Sequence, residues 1–208
     1  MIKITHYTVG MIDTNCYLIE DAATGALAVI DPGDVCLALY EEIDRRSGAL
    51  AYVLLTHGHY DHILGVAELC RRYQPTVCAC EDEREVLQKG LYNLTSVHNI
   101  RLNAFTVDRF LHDGDVIELG ESRITFLHTP GHTAGSGCYL VDDCLFSGDT
   151  LFCESIGRTD FPTSSFAQMK RSIVRLRDLD GDYAVYPGHE MFSTLEHERK
   201  FNPFMNQV

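Results

Sequence analysis

The chain is short of basic residues. Its 208 residues carry 17 Lys and Arg against 30 Asp and Glu, a formal net charge of −13. Polynucleotides draw Lys- and Arg-rich surfaces, so this balance argues against a nucleic acid as the main partner. It leaves an anionic small molecule open, because bound cations create their own local positive field. Long apolar runs are missing too. No stretch approaches the ~18 consecutive apolar residues of a membrane-crossing helix, and Met1-Ile2-Lys3-Ile4-Thr5 reads as a strand rather than as a secretion signal. The expectation is a cytoplasmic protein with no membrane partner. Eight cysteines include no C-x-x-C pair and lie scattered through apolar segments. They are expected as reduced, mostly buried thiols, not as a disulfide framework or a thiolate metal site. With no fixed-period repeat, low-complexity tract or linker either, one domain over 1–208 is expected.

What is present is a regular alternation of short elements. Apolar periodicity and turn residues predict strands over 2–9, 16–20, 27–30, 51–55, 76–80, 116–119, 124–128, 138–141, 145–147 and 184–186. Helices are predicted over 35–46, 63–73, 82–88, 166–179 and 193–200. Residues 91–105, rich in Asn and Ser, read as a long loop, a rim over the site. Each half places strands first and helices later. That order fits an α/β fold of four layers, an αβ/βα sandwich with two sheets inside and helices outside.

The densest chemistry is Thr56-His57-Gly58-His59-Tyr60-Asp61-His62, directly after an apolar strand. On an extended chain His57 and His59 point to the same side. Asp61 and His62 fall where the chain turns into a helix and aim at a neighbouring point. The pattern suits one metal at His57 and His59 and a second at Asp61 and His62, since imidazole and carboxylate serve Zn, Mn or Fe. The plainer reading is a histidine-rich polar loop, which this density of ligand types after a buried strand disfavours. Three later segments repeat a strand that ends on a glycine turn bearing a ligand-type residue: Pro130-Gly131-His132, Ser147-Gly148-Asp149 and Pro187-Gly188-His189. Each alone is a common turn. With the first cluster they supply seven donors from four strand ends.

With these segments the chain resembles the metallo-β-lactamase superfamily over nearly its whole length. The resemblance implies that family's four-layer sandwich and two divalent metal ions, zinc first, with iron or manganese as alternatives. His57, His59 and His132 would hold one ion, Asp61, His62 and His189 the other, and Asp149 would bridge them. Asp31, in Asp31-Pro32-Gly33, matches a further family position: either it fixes a ligand imidazole through its other nitrogen, or it is a turn former before proline. His6, His98, His112, His128 and His197 are left with structural or solvent roles, although His98 lies in the loop that would meet a substrate.

The segment from Leu151 to Pro162 resembles the glyoxalase II branch, and the tail from Gly188 to Pro203 looks like its short members. The implied activity is hydrolysis of S-lactoylglutathione or a related thioester, with Asp61 orienting the attacking hydroxide that bridges the metals. A divalent ion readies such a hydroxide near neutral pH, and a thiolate leaves without an acid catalyst. Longer members carry a basic helical extension that grips glutathione; this chain ends at Val208, so thioester chemistry is the firmer expectation and glutathione the weaker. Arg158 is the candidate for a substrate carboxylate, or else an ion-pair partner of Asp160. The rival within the family is an oxygenase of the persulfide dioxygenase type, with one iron on His57, His132 and Asp149. A nucleic-acid hydrolase, a β-lactamase and a non-catalytic metal protein fit less well, given the acidic charge, the absence of an export signal and the openness of a seven-donor site.

Overall fold

The computed structural model describes residues 1–46 and 48–206; residue 47 and residues 207 and 208, which belong to the expected 1–208 domain, lie outside the described residues. One six-stranded sheet is formed, in this spatial order, by β1 (Ile2–Val9), β2 (Thr14–Asp21), β3 (Leu27–Ile30), β4 (Leu50–Leu54), β5 (Thr76–Cys80) and β6 (Arg109–Leu111). The first two pairings are antiparallel and the last three parallel. A second six-stranded sheet contains β7 (Val116–Leu119), β8 (Ser122–His128), β9 (Gly137–Val141) and β10 (Cys144–Gly148). A small ribbon, β11 (Leu151–Phe152) with β12 (Ser155–Ile156), follows; β13 (Ala184–Pro187) then joins β10 in parallel, and β14 (Ser193–Thr194) closes that edge.

Side chains sort by strand alternation. Tyr17, Ile19, Ala28 and Ile30 of the first sheet meet Ile124, Phe126, Tyr139 and Phe146 of the second in a core between the sheets. Their neighbours Cys16, Leu18, Leu27 and Val29 point the other way, against α1 (Leu37–Arg45) and α3 (Val66–Tyr73), which follows the short α2 (Tyr60–Ile63). A short 3₁₀ turn (Glu81–Glu83), α4 (Arg84–Gln88) and α5 (Thr95–His98) come between β5 and β6. On the far side, Leu127, Cys138, Leu145 and Val185 pack under α6 (Phe166–Arg177), α7 (Leu195–Phe201) and α8 (Pro203–Asn206). Strands covered on both faces read as nearly unbroken apolar runs, and β2 and β3 do. The four-layer α/β sandwich expected from the sequence is the fold observed.

Several details differ from expectation. The helix expected over 63–73 is broken at Gly65, whose N–H donates to the Pro32 carbonyl at 2.8 Å; a Cβ there would meet the same oxygen at 2.8 Å. The expected loop 91–105 contains α5, set between Leu94 and Asn99 at φ 67° and 53°. Its second half packs Leu102 and Phe105 against the core under the first sheet, away from the rim. The ribbon and β14 are two-residue strands, too short for any periodicity to show. All eight cysteines are free thiols, as expected. Among the described residues no helix is long and apolar enough to cross a membrane.

The two sheets are also joined by hydrogen bonds at their ends. At one end, buried Asp21 accepts from Thr24 N (2.9 Å), Thr24 Oγ1 (2.7 Å) and Ser122 Oγ (2.7 Å). These donors hold its carboxyl well below its ordinary value, so it stabilises the fold in its charged form. That contribution is complete above the unfolded value of 3.8 and is lost as pH falls toward the folded one. Asp21→Asn should therefore lower the melting temperature at neutral pH, with the gap to wild type closing in strong acid. Calorimetry across pH checks this; a gap independent of pH would count against it.

Candidate metal centre

At the opposite end, five strand ends deliver the predicted side chains to one place. Asp31 follows β3, His57 and His59 follow β4, His132 follows β8, Asp149 follows β10 and His189 follows β13. Asp61 and His62 arrive on α2. Glycine is required at two of these turns. Gly148 has φ 49°, and a Cβ on it would fall on the Thr56 side chain. A Cβ on Gly188 would overlap Asp149 Oδ1 and approach His62 Cε1 to 2.8 Å.

All seven predicted donors converge, in two groups. His59 Nδ1 lies 3.1 Å from His57 Nε2 and 2.9 Å from His132 Nε2. His62 Nε2 lies 3.3 Å from His189 Nε2 and 3.2 Å from Asp61 Oδ2, which is itself 3.1 Å from His189 Nε2. Asp149 stands between the groups, with Oδ1 3.5 Å from His62 Nε2 and Oδ2 3.4 Å from His132 Nε2.

The outer nitrogens show which way the ring lone pairs face. His132 Nδ1 donates to the Arg158 carbonyl at 2.9 Å, so its Nε2 carries the lone pair. His62 Nδ1 donates to Asp31 Oδ2 at 2.9 Å. Asp31 Oδ2 also accepts from Thr56 Oγ1 at 2.6 Å, which leaves that hydroxyl oxygen to accept from His57 Nδ1 at 3.2 Å. Asp31 thus fixes the His62 ring directly and the His57 ring through Thr56, at φ 48°, a conformation that Asp tolerates better than most residues. Burial drives His57, His59 and His132 below the usual imidazole range and keeps them neutral. Burial acts on His62 in the same sense, but the Asp61, Asp149 and Asp31 carboxylates outweigh it and hold the ring well above that range.

His57 and His132 both aim an Nε2 lone pair at His59 Nδ1, and a neutral His59, whose Nε2 has no partner among the described residues, can satisfy one of them at most, so a buried acceptor stays unpaired unless a positive charge sits among them. Asp149 Oδ1 is buried with no hydrogen-bond partner among the described residues, a costly state that a cation relieves. The donor set therefore fits divalent metal: imidazoles and carboxylates, no thiolates, and one carboxylate facing both groups.

The centre floors a cleft of about 540 Å³. Tyr60, Leu94, Phe152, Ile156 and Phe161 supply apolar walls, and His98, Arg158 and Glu190 polar ones. The Arg158 guanidinium lies 4.3 Å over the Phe161 ring and pairs with Asp160 through two bonds of 2.9 and 2.8 Å. Of the remaining histidines, His98 lines the cleft beside Tyr60, while His6, His112, His128 and His197 lie away from the seven donors. Two residues beside the centre went unnoticed in the sequence. Buried Glu83 accepts from Gly58 N at 2.7 Å, and Asn15 Nδ2 donates to Pro187 O at 3.0 Å. Glu83 reads as part of a charged surface helix and Asn15 as a turn residue, and no local signal separates either from its neighbours.

The sequence profile of the metallo-beta-lactamase superfamily matches residues 9–189. The chain belongs to that superfamily. It is 32% identical to hydroxyacylglutathione hydrolase GloC of Haemophilus influenzae, over 92% of either chain. Among solved structures it resembles the BLEG-1 B3 metallo-beta-lactamase, with TM-score 0.89 and 31% identity over 99% of both chains. It also resembles TTHA1623 in a di-iron-bound form, with TM-score 0.84 and 30% identity over 96% of this chain and 99% of that one. Metallo-beta-lactamase superfamily proteins are mostly metal-dependent hydrolases, and the His-rich cluster of this member lies where its strand ends meet.

Asp31 touches both groups, directly at His62 and through Thr56 at His57. Asp31→Asn keeps the shape and the backbone preference but removes the charge. It should weaken metal binding at both groups by roughly 10–100-fold, measured by competition against a chelator. Unchanged affinity would return Asp31 to the role of a turn residue.

Proposed function

We propose that the protein is a hydrolase of thioesters, of the S-lactoylglutathione type, working at two divalent ions. Zinc is the first choice and iron or manganese the alternatives. One observation carries the reading: six donors form two groups of three, and Asp149 stands between them, with Oδ1 3.5 Å from His62 Nε2 and Oδ2 3.4 Å from His132 Nε2 and 3.7 Å from His189 Nε2. The relative named hydroxyacylglutathione hydrolase and the di-iron structure support it. His57, His59 and His132 would hold one ion, Asp61, His62 and His189 the other, and Asp149 both. Such ions would supply a water deprotonated near neutral pH and a positive field for charge building on an attacked carbonyl.

The chain's own groups do the rest. Asp61 Oδ2 faces the cleft and is held by Thr14 Oγ1 at 3.3 Å and by His189 at 3.1 Å, a position from which it orients the attacking oxygen. Burial opposes its charge, but His62 and His189 hold Asp61 well below the ordinary carboxylate range, and as a metal ligand it would be charged and act as an acceptor. Tyr60, Phe152 and Phe161 exclude water around the acyl group. A thiolate departs unaided, and the cleft needs no proton donor for it. Arg158, paired with Asp160 at the cleft wall, would meet a substrate carboxylate by exchanging that partner. Eight unpaired thiols support a reducing, cytoplasmic setting. The acidic chain is read as acting on a small molecule, with neither nucleic acid nor membrane as partner.

The test pairs elemental analysis with a thioester assay. Two divalent ions per chain and hydrolysis of S-lactoylglutathione are expected. Stripping with a chelator should abolish turnover, and two equivalents of zinc should restore it. Asp61→Asn should lower kcat by about 10²-fold or more. One ferrous ion with oxygen uptake and no hydrolysis would replace this reading with the single-iron oxygenase, in which Asp61, His62 and His189 have no ligand role.

A further inference from the structure

Two side chains outside the seven donors sit behind the centre, one on each side. Glu83 ends the 3₁₀ turn after β5, and its carboxylate is fully buried. Its Oε2 accepts from Gly58 N, the peptide between His57 and His59, at 2.7 Å. Its Oε1 accepts from Gly135 N at 2.8 Å and from the hydroxyl of Thr133, the residue after His132. One carboxylate therefore clasps the two loops that bear the three-histidine group and, among the described residues, makes no hydrogen bond to the other group. Among the described residues no ion pair reaches it, so its charge or proton is balanced by these donors alone.

Asn15 does the corresponding work at the start of β2. Its N–H donates to Gly188 O at 2.7 Å, and its Nδ2 donates to Pro187 O at 3.0 Å and to Glu190 O at 3.1 Å. Its Oδ1 accepts from the His6 ring at 2.7 Å, which sets the amide in that orientation. These carbonyls bracket His189, and Glu190 is held at φ 66°. The preceding Thr14 hydroxyl reaches Asp61.

We propose that Glu83 and Asn15 are positioning residues that govern the two halves of the centre separately, Glu83 the His57–His59–His132 half and Asn15 the Asp61–His62–His189 half. This rests on the two-ion reading. A metal binds tightly only where its ligands are held in place, and anchors behind the ligands set that rigidity. Glu83→Gln keeps the volume, but one of its ends becomes an NH₂ facing a donor. Whichever end carries the NH₂, one of the two loops that bear the three imidazoles is then released. Asn15→Ala removes both side-chain donors to the turn that carries His189 and leaves the three-histidine loops untouched.

Apo wild type, Glu83→Gln and Asn15→Ala are each titrated with zinc against a competing chelator. Histidine ring-nitrogen resonances report which rings take the ion. The expected result is a selective loss: Glu83→Gln weakens zinc at His57, His59 and His132 about tenfold or more and leaves His62 and His189 as in wild type, and Asn15→Ala does the reverse. Glu83→Asp, which keeps the charge but shortens the reach, should act as Glu83→Gln does and serves if that variant does not fold. If the wild type binds two ions and the variants weaken both equally, or change only the melting temperature, this inference is overturned and the two-ion reading stands. A wild type that binds one ion overturns both.

Discussion

Everything at the site end of the molecule follows from an electrostatic conflict. Lone pairs of His57 and His132 both face His59 Nδ1 across about 3 Å, and two carboxylates stand beside them, all buried. Without a cation this arrangement is costly, because buried acceptors have lost water and gained no donor. Hydrogen bonds on the outer sides of the rings keep the conflict from relaxing: Thr56 holds His57, Asp31 holds His62, and the Arg158 carbonyl holds His132. Affinity for metal is the reverse side of that strain. The fold spends part of its stability keeping the donors convergent, and binding an ion returns it.

Convergence is a property of the sheet pair rather than of any one loop. The donors leave strands that belong to different sheets, so the spacing of the sheets decides the spacing of the donors. Two buried tyrosines set it reciprocally. Tyr139, from the second sheet, donates to Leu55 O at 2.9 Å, just ahead of His57. Tyr17, from the first sheet, donates to Pro187 O at 2.6 Å, just ahead of His189. Their rings belong to the core between the sheets and their hydroxyls reach the strand ends, so packing and site geometry are one constraint. Backbone bonds from Gly137 N to Thr56 O and from Asn15 N to Gly188 O, at 2.9 and 2.7 Å, continue the same seam.

What the sequence made legible divides along this line. The seven donors could be read because each sits in a local pattern, four in one dense cluster after an apolar strand and three on glycine turns that end later strands, and the order of strands and helices likewise gave the layers. The anchors could not. Glu83 lies in Glu81-Asp82-Glu83-Arg84-Glu85, where any acid could face water; only the third is buried, because the loops after β4 and β8 arrive over it. Asn15 looks like an ordinary turn residue until the turn after β13 is laid across it. The break at Gly65 depends on the Pro32 carbonyl, and the path of residues 99–105 on a hydrophobic surface made by other elements. Local patterns name the chemistry, whereas contacts between distant segments decide how tightly it is held.

The same coupling ties the cleft wall to its floor. The His132 ring reaches the Arg158 carbonyl, the His132 carbonyl accepts from Ser164 Oγ at 2.5 Å, and Phe161 stands edge-on to His59 and His132 at 5.3 and 5.7 Å. The segment from Arg158 to Ser164 is thus folded onto the His59 and His132 side of the centre. A wall built this way cannot be exchanged as freely as an outer loop, since a residue that reshapes the cleft there also shifts His132. Specificity within the fold is then easier to alter on the wall where Leu94 and His98 line the cleft, His98 packing against the Tyr60 ring.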